Sequence, residues 1–184
     1  PSHLFHLMDA GRRIKAPDTY SQRSDSEGRR EQMAEGRTYK DLWEHIEEVE
    51  EAGLLYRVDT PVNKDTEMHP LVRWQFRGGI EENDRKAFLF TNVVDFKGNK
   101  FDMPVAVGVL AANREIYAMG MGCPVEEVQD RWAQAIANPI PPKEVSSDEA
   151  PCHEIIIEGD DLDRPGNALD SIPVPISTPG WDVG

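Results

Sequence analysis

The chain has 184 residues, a formal net charge of −14 and 39% hydrophobic residues, a content that excludes a wholly disordered polypeptide. Thirty-four acidic against 20 basic side chains set up a field that repels phosphate backbones, which argues against a nucleic-acid partner. The longest apolar run, Val105 to Ala112, is eight residues, far short of the roughly 20 that a membrane-spanning helix needs.

The N-terminus shows no charged-then-apolar pattern of a signal peptide, so a cytoplasmic location is expected. The only two cysteines, Cys123 and Cys152, are too few for a disulfide framework or a cysteine zinc site. They read as cytosolic thiols. The length suits one domain, or one domain and part of a second.

Residues 1–37 differ from the rest. After His3-Leu4-Phe5-His6-Leu7-Met8 the stretch is charged and small, with no sustained period of 3.6 or 2. It reads as an N-terminal arm suited to a partner surface. Seven basic and six acidic side chains fall within residues 1–38, against 13 and 28 in the remaining 146. The excess negative charge therefore lies in the body of the chain. A zinc-dependent hydrolase built on His3, His6 and His45 lacks a carboxylate at ligand spacing.

A mixed α/β domain is expected over residues 38–138. Thr38 can cap a helix, with Asp41 at the third position after it, and Leu42, Ile46 and Val49 recur at helical spacing. Gly53 ends that helix, Leu54–Val58 reads as a strand, and Pro61 closes it. His45 is expected on a helix surface. A second helix is predicted over Thr66–Arg77, with Pro70 tolerated in its first turn. Ala87–Val93 reads as a strand, and Lys97-Gly98-Asn99 as a turn. The run Pro104–Val109 has the pattern of a strand buried on both faces. Asn113 caps a helix through Met119, closed by Gly120 and Gly122. Pro124 opens another, with Val125, Val128, Trp132 and Ile136 as its apolar stripe.

Residues 139–150 form a stiff polar linker. Beyond it, residues 151–184 begin another domain, with His153–Glu158 as a strand and Gly159-Asp160-Asp161 as a turn. As neighbours in a strand, Cys152 and His153 would point to opposite faces and could not act as a nucleophile and base. The Asp160-Asp161-x-Asp163 run lacks the glycine and glutamate spacing of a calcium loop. No phosphate-binding glycine loop and no Gly-x-Ser-x-Gly elbow is present.

Three stretches resemble the UbiD-type carboxy-lyases that use prenylated FMN. The first is Tyr39-Lys40-Asp41-Leu42-Trp43-Glu44-His45-Ile46-Glu47 leading to Gly53-Leu54-Leu55-Tyr56-Arg57-Val58. The second is Ala87–Val93, followed by Met103-Pro104-Val105-Ala106-Val107-Gly108 and Asn113-Arg114-Glu115. The third is Ala150-Pro151-Cys152-His153-Glu154 through Asp163, then Ile172-Pro173-Val174-Pro175, which resembles that family's crossing into its flavin-binding split barrel. The resemblance covers residues 39–184 and leaves the arm outside it.

The resemblance implies an α/β fold: a small N-terminal mixed α/β domain, followed by the first strands of the split β-barrel. It implies a reversible (de)carboxylase of an aromatic or unsaturated acid, or of its thioester, with a small aromatic acid as substrate. The cofactors implied are prenylated FMN, a divalent metal (Mn or Mg) and potassium. The family's metal-holding Asn, His and Glu, and its Glu-Arg-Glu proton network, follow the segment matching Thr178–Gly184. No catalytic and no metal-binding residue is therefore assigned within this chain. Trp181 and Asp182 fall near the barrel entrance, as cofactor-binding positions.

Loss of CO2 leaves a carbanion that needs an electron sink, which a cofactor and not a side chain supplies. The expected partners are further copies of the chain or the remainder of the same polypeptide. The alternative is a non-catalytic α/β subunit that pairs with a separate catalytic chain. A reading frame that continues past Gly184 favours the enzyme; a natural stop there favours the subunit.

Overall fold

The computed structural model describes residues 39–176. The arm at 1–37, Thr38, and the pair Trp181 and Asp182 lie outside the described residues. Among the described residues four α-helices and six short strands follow in the order α1 (Leu42–Glu51), β1 (Leu55–Val58), β2 (Val62–Asn63), α2 (Met68–Arg77), β3 (Ala87–Phe90), β4 (Val93–Val94), β5 (Lys100–Phe101), β6 (Val105–Val107), α3 (Arg114–Met121) and α4 (Val128–Ala137). The mixed α/β architecture expected from the sequence is present.

The strands form two three-stranded sheets, ordered β1-β3-β6 and β2-β4-β5. β1 and β3 run parallel, as do β2 and β4, whereas β6 and β5 pair antiparallel with β3 and β4. The expected single strand Ala87–Val93 is thus broken into β3 and β4. The break is matched on the neighbouring chain at Asp59-Thr60-Pro61, where proline has no N–H to give a ladder. Side chains take over across the gap. Thr91 Oγ1 donates to Asp59 Oδ1 at 2.6 Å, and Asn92 Nδ2 donates to the Asp59 carbonyl at 3.3 Å. Two bent parallel segments therefore pass from one sheet to the other, and the register shifts by one residue at the bend, because Asp59, Thr60 and Pro61 stand opposite Thr91 and Asn92 alone.

β3 is buried along its whole length. Because a strand alternates its faces, Ala87 and Leu89 enter one core, and Phe88 and Phe90 the other. The first core gathers Ile46 and Val49 of α1 and Ile116 and Met119 of α3. The second gathers Val62, Met68 and Val93, with Leu71 and Val72 of α2 against it. Phe88 and Phe90 stack with ring centroids 5.6 Å apart, and Tyr56 on β1 lies 5.5 Å from Phe88. β6 differs from the expectation. It is an edge strand whose three residues are half-buried, because β3 alone takes the central place.

Local capping follows the sequence closely. Asp41, not Thr38, is the N-cap of α1, accepting from Glu44 N at 3.0 Å. Glu44 reaches back to Lys40 N at 2.7 Å, the reciprocal half of a capping box displaced by one residue. Asn113 caps α3 through Ile116 N at 2.8 Å, and its amide donates to the Arg85 carbonyl at 2.7 Å. α3 runs through Gly120 and ends at Gly122, whose φ of 61° is left-handed. Gly108 follows β6 at φ 75°, where a Cβ would meet that of Ala112 at 3.0 Å. Only glycine fits both the angle and the approach.

His45 corrects another expectation. It is 3% exposed, not a surface residue. Its Nε2 lies 2.7 Å from the Val109 carbonyl, which can only accept, so the ring carries its proton there. Tyr39 meets the ring edge-on at 4.9 Å.

Gln75 ties α2 to β3. The side chain is 1% exposed. Its Oε1 accepts from Lys86 N at 2.9 Å, and its Nε2 donates to the Lys86 carbonyl. One amide thus closes both backbone groups of the residue that enters the central strand. Gln75→Leu keeps the volume but leaves these groups buried and unpaired, at about 1–3 kcal/mol each. Urea denaturation is expected to show a loss of about 2–4 kcal/mol with an unchanged slope. A loss below about 0.5 kcal/mol, the range of an ordinary surface change, would contradict this role.

Candidate functional site

After α4 the chain leaves the folded body. From Asn138 to Ile172 every residue is exposed except Ala150 and Asn167, which are intermediate. The strand expected over His153–Glu158 is not formed. Pro151–His153 is a 3-10 turn, and Ile155 and Ile156 are 77% and 66% exposed. Among the described residues no strand pairs with this segment, and an unpaired strand leaves its backbone donors and acceptors unanswered by a ladder. Gly159–Asp163 is a 3-10 turn, in keeping with the turn expected there.

The chain returns at Pro173, which is buried, and Ile176 N donates to the Lys64 carbonyl at 3.3 Å. This is the anchor from which the chain runs on toward Trp181 and Asp182. It rests on an ion pair in the turn after β2. Lys64 Nζ lies 2.6 Å from Asp65 Oδ1, with the two side chains 9% and 4% exposed. Asp65 Oδ2 accepts from Phe96 N at 3.0 Å, and Lys64 Nζ stands 5.8 Å from the centroid of Phe101. Asn63 Oδ1 accepts from Asp65 N at 2.9 Å and Thr66 N at 3.2 Å, fixing the turn.

The adjoining loop is fixed in the same way. Asp95 accepts from Lys97 N, Asn99 N and Asn99 Nδ2 at 2.7–2.8 Å, and Gly98 takes φ 86°. Partial desolvation raises the Asp95 carboxyl. The hydrogen bonds from Asn99 and Lys97 and the Lys97 charge outweigh that effect and hold it below the usual carboxylate range.

This arrangement positions a segment of chain and offers little chemistry of its own. Both carboxylate oxygens of Asp65 are engaged, which suits a fixed charge better than proton transfer. Sequence reasoning missed Lys64 and Asp65. Adjacent opposite charges after a proline-closed strand look like a solvated loop, and nothing local signals that both will be buried.

The other sequence candidates are dispersed. Cys152 is exposed. His153 Nδ1 lies 2.9 Å from both the hydroxyl and the carbonyl of Ser147. A proton on Nδ1 satisfies the carbonyl and removes the base that a serine nucleophile would need. His45 is committed to Val109, and His3 and His6 lie outside the described residues. Among the described residues no three His, Cys, Asp or Glu side chains converge as a metal site. Nor is any of their helices long and apolar enough to cross a membrane.

Comparison with known proteins accounts for a scaffold of this kind. Residues 46–136 match the model of the 3-octaprenyl-4-hydroxybenzoate carboxy-lyase N-terminal domain. This is a UbiD-family N-terminal domain. The structure of an evolved dimeric form of the UbiD-class enzyme HmfF from Pelotomaculum thermopropionicum, in complex with prFMN, superposes with a TM-score of 0.55 at 31% identity over 74% of this chain. HmfF from the same organism, in complex with FMN, gives a TM-score of 0.52 at 32% identity over 73%. The chain spans 28% and 26% of those two polypeptides. The family that the N-terminal-domain model describes is one of carboxy-lyases.

The anchor gives a direct test of what holds this UbiD domain to the chain that follows. Lys64→Met strands Asp65 as a buried charge, at about 3–5 kcal/mol. The pair Lys64→Met with Asp65→Asn removes the charge and keeps an acceptor for Phe96 N. Thermal and urea unfolding are expected to show more than half of the loss recovered in the double variant. Equal losses in both would show that the charge pair is not what matters.

Proposed function

We propose that this chain is the N-terminal part of a prenylated-FMN-dependent, reversible (de)carboxylase of an aromatic or unsaturated carboxylic acid, or of its thioester. The match of residues 46–136 to the UbiD N-terminal domain carries the reading. The HmfF structures at 31% and 32% identity, one holding prFMN and one FMN, support it.

The described residues do not themselves fit the cofactor. They bring together no set of metal-ligating side chains, and their buried charges are internally paired. When bound, the flavin supplies the electron sink for the carbanion left by CO2. The flavin, a divalent metal (Mn or Mg) and potassium belong, in this reading, to a split barrel that starts within residues 151–184. Trp181 and Asp182 lie near its entrance. The role of residues 39–138 is structural: they buttress the barrel and hold the segment anchored at Lys64 in register with it. A small aromatic acid substrate, a homo-oligomeric assembly and a cytoplasmic location complete the proposal.

The test compares two proteins from the same coding region, the 184-residue chain and the polypeptide read through whatever follows Gly184. Each is produced with a source of prenylated FMN and examined by absorbance, native mass spectrometry and CO2 exchange on aromatic acids. Flavin absorbance and exchange in the longer protein, with neither in the shorter, are expected. A longer protein without flavin, or a stop codon after Gly184 and a stable complex with a separate catalytic chain, would replace this reading with that of an interaction subunit.

A further inference from the structure

We draw no further inference here: the strongest candidate, the apolar face of α4 around Trp132 and Ile136, is left 48% and 73% exposed at those two residues, and nothing among the described residues shows what covers it.

Discussion

The structure depends on one constraint: the four residues of β3 must face two cores at once. Ala87 and Leu89 look toward α1 and α3, and Phe88 and Phe90 toward α2 and the second sheet. Burying each large side chain contributes about 1.5–3 kcal/mol. The larger effect is on register. A slip of one residue would exchange the two sets and put phenylalanines where alanine and leucine fit. The neighbouring devices all protect that register. Gln75 closes the backbone at Lys86 where β3 begins. Asn113 pins Arg85 just before it, and Thr91 and Asn92 bind Asp59 just after it.

Much of this order could be read in the residues. The Asn113 cap, the Gly122 stop, the strand at Leu55–Val58 and the Lys97-Gly98-Asn99 turn are local features, set by side chains within a few residues of each other, whereas the cap of α1 falls at Asp41 and not at the expected Thr38. The central strand was legible as a strand but not as two, because its break answers a proline on another segment. Burial was the least legible property. His45 looked like a surface residue among glutamates, yet the Val109 carbonyl, 64 residues away in sequence, makes it part of the core. Lys64 and Asp65 are buried in a turn where the Phe96 N–H meets the Asp65 carboxylate and the Phe101 ring lies near the Lys64 ammonium. α4 shows the opposite failure, an apolar stripe with nothing described upon it. The His153–Glu158 segment has strand composition but no described partner. In each case the deciding neighbour is distant in sequence.

The described residues are built for support more than for reaction. Residues 39–137 form a scaffold in which most buried polar groups hold its own turns and helix ends, His45 Nδ1 being a buried atom without a hydrogen-bond partner. An Asp–Lys pair with both carboxylate oxygens engaged, and a serine–histidine contact shared with a carbonyl, are stable arrangements with low reactivity. A decarboxylase needs the reverse: a dry pocket with groups held ready for a charge that develops only during reaction. Such a pocket, in the proposed reading, lies beyond the anchor at Lys64. In that same proposal the scaffold contributes rigidity at the anchor.

Site-resolved hydrogen exchange on the 184-residue chain tests the central claim that β3 organises the molecule. The amides of Phe88–Phe90 are predicted to exchange only through global unfolding, with the free energy that denaturant unfolding gives, while those of Ile155–Ile157 exchange near the unprotected rate. Comparable protection in the two segments, or loss of the β3 amides at a free energy well below the global value, would contradict it.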